Sequence, residues 1–333
     1  IRDGDLSVTA TDMEVELVAH QSLEGGEAGE ITVPARKLID ICRALPSDAG
    51  VDFTLQDGRV TLRSGRSRFT LSTLPASEYP STEILKEGTR LRVERAALKR
   101  VLELTHFSMA HQDVRYYLNG LLLELSPERL RTVATDGHRL ALAELEMATG
   151  VEGETRQFIV PRKGIAELLR LLGGGEETVE VAIGENAIQA NLDDVRLTSK
   201  LIDGRFPDYT RVIPSAAQCD KHVGVDRELL RQSLARASIL SNEKYRAVRL
   251  SLEAGRLRIV ANNPEQEEAE DEVEVDYDGE ALEIGFNVSY MLDALAALPS
   301  ERAELYLSDP SSSCLIQPEG RADCRYVIMP MRL

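Results

Sequence analysis

The chain repeats one unit of about 125 residues three times, and this repeat restricts its possible folds more than any other feature. The first copy contains Leu6–Asp12 (LSVTATD), the second Leu130–Asp136 (LRTVATD) and the third Leu257–Asn263 (LRIVANN). A chain of 333 residues, of which 43% are hydrophobic, is long enough for two or three domains with buried cores. The repeat favours three domains, which we place at residues 1–88, 89–216 and 217–333.

Within each copy the repeated strand is followed by a short apolar segment and a predicted helix. These helices end near Pro46, Gly173 and Pro299. Their apolar residues recur at spacings of three and four, which in the first helix are Leu38, Ile41, Cys42 and Leu45. Alternating apolar strands follow each helix. Each copy is therefore predicted to be an α+β domain that contains antiparallel sheet.

The second and third copies also begin alike, and the first copy differs from them. An amphipathic helix over Leu98–Thr105 precedes a strand over Leu118–Leu125, and a helix over Leu230–Ile239 precedes a strand over Ala247–Leu252. The first copy has no such opening, and Ile1–Leu6 reads as a turn between two strands. We therefore expect each complete domain to hold two helices, and about 30 to 40 residues of domain one to precede Ile1.

Three similar domains in a row leave an unpaired sheet edge at each end of the array. Proteins usually cover such edges, because exposed strands pair with other chains. A head-to-tail contact that closes by symmetry makes a ring. The repeat alone leaves open both a closed ring and an open array with capped ends.

The net charge of −17 taken alone argues against binding nucleic acid, since phosphate contacts need lysine and arginine. The charges are nevertheless sorted by element. Predicted helices are relatively basic, whereas Glu265–Glu283 holds eleven acidic residues and no lysine or arginine. Basic helices inside a ring and acidic sheets outside it would attract DNA without reading its bases. The alternative is that these cations form ordinary solvated helix faces.

Several other classes of protein find little support in the sequence. No apolar run approaches the roughly 20 residues that span a membrane, and no charged-then-apolar pattern in the sequence suggests secretion. The scattered cysteines, Cys42, Cys219, Cys314 and Cys324, suggest ordinary thiols in a reduced cytoplasm rather than a metal site or disulfide. Asp136 and His138 would suit a hydrolase, but no nucleophile motif or phosphate-binding loop accompanies them. We therefore predict no enzyme, no cofactor and no metal.

Five segments resemble one known family, the bacterial DNA polymerase III beta subunits or sliding clamps. They are Phe107–Gly120, Val133–Leu140, Ser199–Tyr209, Asn262–Ala269 and Tyr326–Leu333. The resemblance extends over the whole chain. It implies three clamp domains that close as a head-to-tail homodimeric ring around duplex DNA. It also implies a non-catalytic processivity factor of the DNA polymerase III holoenzyme, cytoplasmic and associated with the nucleoid; a peptide-binding scaffold that does not bind DNA is the alternative function.

The resemblance further implies a protein-binding cleft between domains two and three, in which Leu, Val, Ile and Met would receive Leu or Phe anchors. Its residues here would be Leu118, Thr135, Gly137, His138, Arg139, Leu140, Pro207, Arg211, Val212, Tyr245, Asn287, Tyr290, Ser313, Val327, Ile328, Met329, Pro330, Met331, Arg332 and Leu333. Arg139, Arg211 and Asn287 would orient the peptide. The implied partners are the replicative polymerase alpha subunit, the clamp loader, translesion polymerases, mismatch repair proteins and ligase. Alternatively, the tail is a core strand and His138 an ordinary loop histidine.

Two further sets of residues follow from the resemblance. The DNA-binding set is His111, Gln112, Tyr116, Tyr117, Arg36, Arg162, Lys163 and Arg205. The strand alternation expected at Tyr116 and Tyr117 would place one of these two rings in the core. The ring interface would join Ile239 and Leu240 to Phe69 and Leu71. Its charged residues would be Glu265, Glu267, Glu268 and Glu270 facing Lys37, Arg66 and Arg68.

Overall fold

A computed structural model describes residues 1–80, 82, 85, 87–174 and 177–332, which form three successive α+β units. Unit one contains β1 (Asp5–Thr11), β2 (Val15–Ser22), α1 (Ala35–Ala44), β3 (Asp52–Gln56), β4 (Arg59–Ser64) and β5 (Ser67–Ser72). Unit two contains β6 (Thr89–Glu94), α2 (Arg95–Glu103), β7 (Gly120–Ser126), β8 (Arg129–Thr135), β9 (Arg139–Glu146), β10 (Arg156–Pro161), α3 (Arg162–Leu171), β11 (Thr178–Ile183), β12 (Ala187–Leu192) and β13 (Val195–Lys200). Unit three contains β14 (Lys221–Asp226), α4 (Arg227–Ala237), β15 (Ala247–Glu253), β16 (Arg256–Asn262), β17 (Glu268–Glu274), β18 (Leu282–Asn287), α5 (Val288–Ala297), β19 (Arg302–Leu307), β20 (Cys314–Pro318) and β21 (Cys324–Ile328).

Two of the sheets run continuously from one unit into the next. The six-stranded sheet has the order β1-β2-β13-β12-β11-β6, and the eight-stranded sheet has the order β10-β7-β8-β9-β21-β20-β19-β14. The strands pair antiparallel throughout, as the sequence predicts. We call the β2–β13 contact the first junction and the β9–β21 contact the second junction. Because each junction is an uninterrupted ladder of backbone hydrogen bonds, successive units are held in a fixed register.

Each of the four sheets in the described part of the chain has two edge strands, and β5 and β17 are edge strands whose equivalents in the repeat are paired on both sides. The three-stranded sheet β3-β4-β5 ends at β5, and the four-stranded sheet β17-β16-β15-β18 ends at β17. By position in the repeat, β5 corresponds to β13 and β21, and β17 corresponds to β2 and β9. The edges are thus the two halves of a third junction that one chain alone does not complete.

The repeat also includes the hairpin turns that precede β2, β9 and β17. In the first two units an aspartate, Asp12 or Asp136, accepts hydrogen bonds from the backbone amides that lead into the next strand. The residue after it has a positive φ, 73° at Met13 and 89° at Gly137. In unit three Asn263 accepts a similar bond, and Gln266 has φ 64°. The sequence similarity therefore reflects the same turn in units one and two and a longer variant of it in unit three.

The helices pack on one face of the sheets, and they are buried to different degrees. In α3, Ile165 and Leu168 are buried beside α2. Leu38 and Ile41 occupy the equivalent positions of α1, where they pack on the three-stranded sheet, yet α1 contains no buried residue. The prediction that Cys42 belongs to the apolar face is wrong, since Cys42 is exposed. Among the described residues no second helix lies beside α1, so one side of it faces solvent.

Two predicted boundaries, the start of one strand and the end of one helix, are also wrong. Residues Tyr116–Leu118 form a short 3-10 helix, and the predicted strand begins only at Gly120. A side chain at Gly120 would approach the carbonyl oxygen of Val160 to 2.7 Å, so the strand starts where a glycine permits close pairing with β10. The helix predicted over Leu230–Ile239 ends at Ala237, and Ile239 lies in a separate 3-10 turn. No helix in the described ranges is long and apolar enough to cross a bilayer.

Candidate functional site

At the second junction an apolar row crosses three strands on the sheet face opposite the helices. Leu140 of β9 lies beside Val327 of β21, which lies beside Leu315 of β20. Their exposed fractions are 3%, 3% and 1%. Phe206 and Tyr209 cover this row as part of the same hydrophobic cluster. Leu118 and Leu140 were predicted for the cleft from the sequence, and the structure brings both into this cluster with Val327.

The chain segment after β21 passes from unit two to unit three and forms one border of the apolar row. The Met329 amide donates to the carbonyl oxygen of His138 (2.9 Å), and the Met331 amide donates to that of Gly285 (2.8 Å). Pro330 lies between them and has no amide to donate. The side chain of Met329 is 46% exposed. The predicted cleft residue Leu333 lies outside the described residues.

Residues 201–218, which we call the connector, form the opposite border. Pro207 and Arg211 are exposed, and Val212 is 51% exposed. Arg211 forms an ion pair with Asp208 of the connector itself (2.8 Å). Exposed Val212 on this border and Met329 on the other supply the apolar surface that an anchor side chain needs.

Arg139 lies at the second junction, but its neighbours on β9 point the other way. Because side chains alternate along a strand, Leu140 faces the apolar row and Arg139 faces the helices. The Arg139 guanidinium donates to Asp136 (3.1 Å), to Asp293 of α5 (2.5 Å) and to the carbonyl oxygen of Phe107 (2.8 Å). It also lies 4.5 Å from the centroid of the Tyr290 ring. These contacts join units two and three; the expectation that Arg139 orients a peptide stays a prediction.

Asn287 and Tyr245 lie at the unit-three side of the candidate cleft. The side-chain oxygen of Asn287 accepts hydrogen bonds from the amides of Ser289 (2.9 Å) and Tyr290 (3.3 Å), so it caps the first turn of α5. Its amide nitrogen donates to the Tyr245 carbonyl oxygen at 3.4 Å. Tyr245 is exposed, and burial raises the pKa of Tyr290. The Asn287 amide group is therefore already engaged within the chain.

The β8–β9 hairpin places Asp136 and His138 next to each other without forming a catalytic pair. The Asp136 carboxylate accepts the His138 backbone amide (2.9 Å) and the Arg139 guanidinium, but the structure describes no bond from it to the imidazole. The Thr135 hydroxyl donates to the Arg139 carbonyl oxygen (2.6 Å). Across the described ranges, no group of three His, Cys, Asp or Glu side chains is arranged to hold a metal. The four cysteines are free thiols.

The structure gathers most of the predicted DNA-binding residues in one region of unit two. Exposed His111, Gln112 and Tyr116 lie on one loop, while Tyr117 packs partly against the hydrophobic cluster of the second junction. The Arg115 guanidinium ties this loop to the β8–β9 hairpin, and its hydrogen bond lowers the pKa of Asp113 to about 2.

Two of the remaining DNA candidates, Arg162 and Arg205, are placed near this loop by contacts. Arg162 donates to the carbonyl oxygen of Met109 (3.1 Å), immediately before the loop. A side chain at Gly204 would meet the Tyr116 ring at 3.3 Å and Tyr117 Cβ at 3.5 Å, so Gly204 and the neighbouring Arg205 lie close to the loop. Lys163 instead forms an ion pair with Asp12 of unit one.

The predicted ring-interface residues, together with Arg36, lie at or near the edges β5 and β17. Arg66, Arg68, Phe69 and Leu71 are on or beside β5, Lys37 and Arg36 are exposed on α1, and Glu265, Glu267, Glu268 and Glu270 are on or beside β17. Ile239, in a turn that packs on β17 with Leu240, is 77% exposed. Glu270 forms an ion pair with Arg258 within the chain (2.5 Å). The edges therefore carry opposite charge, arginine at β5 and glutamate at β17.

A buried polar group that the sequence analysis missed lies beneath the connector. The Tyr209 hydroxyl donates to Glu124 (2.8 Å) and accepts from Arg131 (2.7 Å). Burial raises the pKa of Tyr209 to about 12. Its neighbours follow from strand register, since Glu124, Arg131 and Glu144 lie opposite one another on β7, β8 and β9. Opposite charges at such cross-strand positions are the signal that a sequence analysis could use.

Comparison with known proteins identifies each unit. Family models of the DNA polymerase III beta subunit match residues 1–83 (N-terminal domain), 92–208 (central domain) and 210–332 (C-terminal domain). The beta sliding clamp of Pseudomonas putida is 54% identical over 335 residues, which cover 100% of this chain and 90% of the relative. That of Escherichia coli K12 is 52% identical over 334 residues, with the same coverage.

Solved structures agree with these sequence matches. A Pseudomonas aeruginosa sliding clamp superposes with a TM-score of 0.96 at 50% identity, covering 100% of this chain and 90% of that one. Another structure of the clamp from this organism, bound to griselimycin, has a TM-score of 0.94 at 50% identity and the same coverage. A Caulobacter crescentus clamp has a TM-score of 0.95 at 39% identity, also with this coverage. The chain belongs to the family of bacterial DNA polymerase III beta subunits, the sliding clamps, which are non-catalytic processivity factors of DNA replication.

Proposed function

We propose that two copies of this chain close head to tail into a ring around duplex DNA, and that each copy binds partner proteins in the cleft at its second junction. The observation that carries ring closure is the pair of unpaired edges, β5 and β17, whose equivalents are paired at both junctions within the chain. We also propose the domain boundaries predicted from the sequence; the expectation of further residues before Ile1 stays a prediction.

The internal repeat supplies a register for the β5–β17 contact. At the first junction Leu197 lies opposite Leu17. Matching the adjoining hairpins makes Phe69 equivalent to Leu197 and Ala269 equivalent to Leu17. The same register sets Arg68 of one copy opposite Glu270 of the other. A large apolar side chain then meets a small one, and opposite charges face each other across the strands.

Sedimentation of charge-swapped variants tests this interface. We expect Arg68→Glu to shift the dimer towards monomer, because it places two negative charges opposite each other. Arg68→Glu combined with Glu270→Arg should restore the dimer. Arg43→Glu, on α1 and away from β5, is the matched control. An unchanged dimer in Arg68→Glu would exclude this register.

For the cleft, the proposed ligands are short segments with Leu or Phe anchors from the replicative polymerase alpha subunit, the clamp loader, translesion polymerases, mismatch repair proteins and ligase. Griselimycin, which is bound to a Pseudomonas aeruginosa clamp, is a convenient probe. Met329→Glu should abolish its binding, because a charge would replace an exposed apolar border of the cleft. Leu55→Glu is the matched control, since Leu55 is also apolar and about half exposed (54%) but lies on β3 of unit one. Equal loss in both variants would argue against the cleft.

For DNA, we propose weak phosphate contacts from the helices and the His111–Tyr117 loop, which permit sliding because they read no bases. The protein loaded on a nicked circle should survive high salt and be lost when the circle is cut. Loss from both substrates would favour the alternative, a peptide-binding scaffold that does not encircle DNA. We further propose a cytoplasmic, nucleoid-associated location, which fluorescence imaging would test.

A further inference from the structure

The connector borders the proposed cleft, yet few polar contacts fix it to the sheet beneath. Phe206 and Tyr209 bury their rings against the sheet. The ion pair Arg211–Asp208 and the bond from the Val212 amide to the Tyr209 carbonyl oxygen both lie within the connector. In the part of the chain that the structure describes, the Tyr209 hydroxyl makes the hydrogen bonds that join residues 203–214 to the sheet.

The group that holds this hydroxyl is rigid and charged. Arg131 donates to Tyr209 (2.7 Å), to Glu124 (2.7 Å) and to Glu144 (2.7 Å), and Gln157 donates to the second oxygen of Glu124 (2.7 Å). Hydrogen bonds to ionised groups are stronger than neutral ones, and burial strengthens them further. The strands β7, β8, β9 and β10 that carry these partners are all paired in the eight-stranded sheet. The Tyr209 hydroxyl is thus bonded to side chains that paired strands hold in place.

The position of Tyr209 in the connector gives this attachment a consequence for binding. Tyr209 begins the 3-10 turn Tyr209–Arg211, so its anchored ring sets where Arg211 and Val212 stand. Pro207 lies two residues before Tyr209 in the sequence. These three exposed residues form the connector side of the cleft. A wall that is already in place spares a ligand the entropy of ordering it.

We propose that Tyr209, through Glu124 and Arg131, is a positioning residue that holds the connector as a preformed wall of the protein-binding cleft. This assignment rests on the proposed function of the cleft. Tyr209 touches no ligand in this proposal; it acts through Pro207, Arg211 and Val212. Removing its hydroxyl should therefore weaken every ligand that uses the connector wall, whatever the anchor side chain.

Titration of a fluorescein-labelled peptide with Leu and Phe anchors tests the proposal. Tyr209→Phe keeps the buried ring but loses both hydrogen bonds. We expect its Kd for the peptide to rise about five- to tenfold at a temperature where the variant is still folded, although the lost buried hydrogen bonds should lower the melting temperature by a few degrees. Amide hydrogen exchange in residues 203–214 should accelerate, while exchange in β7, β8 and β9 should not. The confinement of faster exchange to the connector separates positioning from a general loss of stability.

Tyr306→Phe is the matched control, because the Tyr306 hydroxyl also donates to a glutamate on the same sheet, Glu304 (2.8 Å), but not to the connector. It should leave the Kd and the connector exchange unchanged. An equal Kd for Tyr209→Phe and the unsubstituted protein would overturn the positioning role alone. Failure of the unsubstituted protein to bind the peptide would overturn the proposed cleft, and this assignment with it.

Discussion

At the first junction β13 pairs with β2, and at the second junction β21 pairs with β9 in the equivalent register. The sheet face opposite the helices carries a row of three side chains across each junction. The row is Glu16, Thr198 and Gln189 at the first, and Leu140, Val327 and Leu315 at the second. All six are at most 3% exposed. The two junctions therefore share one backbone arrangement, but the first buries polar side chains where the second buries apolar ones.

The polar row determines what lies over the first junction. Glu16 accepts the Thr82 amide (2.9 Å), and Gln189 accepts the Leu85 amide (3.0 Å), so Thr82 and Leu85, which lie between units one and two in the sequence, are bonded directly to the sheet. An apolar row offers no acceptors, and the connector is held at Tyr209 instead. At the first junction Glu16 and Gln189 thus accept hydrogen bonds from within the chain, whereas the second junction keeps apolar surface beside exposed Val212 and Met329. Polarity at three positions explains why the second junction suits an external ligand.

Placing the glutamate of the polar row at the equivalent position of the second junction, Leu140, should have the largest effect. Leu140→Glu would bury a carboxylate among leucine and valine with no donor, and we expect it to lower the free energy of unfolding by about 4 kcal/mol. Urea denaturation measures this loss. Leu74→Glu, at an exposed site, should cost less than about 0.5 kcal/mol. A loss below about 1 kcal/mol for Leu140→Glu would mean that the second junction tolerates the chemistry of the first.

Ion pairs on the helical side of the junctions should also differ. Arg139→Ala removes a largely buried guanidinium that binds Asp136, Asp293 and the Phe107 carbonyl oxygen, and should cost about 2 to 3 kcal/mol. Lys163→Ala removes the half-exposed pair with Asp12 at the first junction, and should cost no more than about 0.5 kcal/mol. Chemical denaturation of both variants gives the comparison. Equal costs would show that the two contacts are equivalent.

The central position of each row permits a nearly isosteric exchange. The Thr198 hydroxyl is buried without a hydrogen-bond partner in the described structure, so Thr198→Val should stabilise the protein by about 1 kcal/mol. Val327→Thr should destabilise it by about 1 to 2 kcal/mol, because the new hydroxyl would find an apolar row. Differential scanning calorimetry of both variants measures these changes in stability. Two stabilising or two destabilising substitutions would contradict this account.

The hairpin turns that begin the junctions offer a smaller test. Gly137 has φ 89°, and a Cβ there would lie 2.9 Å from the Arg115 guanidinium, so Gly137→Ala should cost about 1 kcal/mol. Met13 adopts a similar φ of 73° with a side chain, and Met13→Gly should gain about 0.5 kcal/mol. Melting temperatures should move in opposite directions. A stabilising Gly137→Ala would show that this turn is not strained by a side chain.

The β19–β20 loop near the second junction predicts an effect of pH. Hydrogen bonds from the Ser311 and Ser312 hydroxyls lower the pKa of Asp309 to about 2. Because the folded pKa is below the unfolded value near 4, the loop is fully stabilised above about pH 4 and loses this stabilisation as pH falls through about 2. Carboxyl-carbon NMR should give a midpoint near 2 for Asp309. Ser311→Ala should raise it, and an unperturbed midpoint near 4 in the parent protein would refute the contact.

Local patterns in the sequence predicted the repeated architecture well. Apolar spacing predicted the five α-helices of the described residues, and the shared LSVTATD-like segments marked a hairpin in each unit. These features depend on neighbours along the chain, so periodicity and turn residues report them. Failures occurred where a distant contact decides the outcome, as at Gly120, which meets β10. The burial of α1 likewise depends on what packs beside it and not on its own apolar stripe.

The chemistry of the site was harder to predict than the fold. The row Leu140–Val327–Leu315 joins strands that are far apart in the sequence, and its polar counterpart contains Glu16, which looks like a surface residue beside Glu14. Only the pairing of β2 with β13 buries it. Tyr209 was overlooked for the same reason, since its partners Glu124 and Arg131 become neighbours only in the assembled sheet.

The insertion of β21 between β9 and β20 has a consequence for the order in which the protein is made. β9 is synthesised with unit two, but its partner is the last strand of unit three. During translation β9 therefore remains an unpaired edge strand until β21 has left the ribosome. The Leu140–Val327 contact forms only at that point. A nascent chain consequently cannot recruit partners through this cleft before β21 has been synthesised.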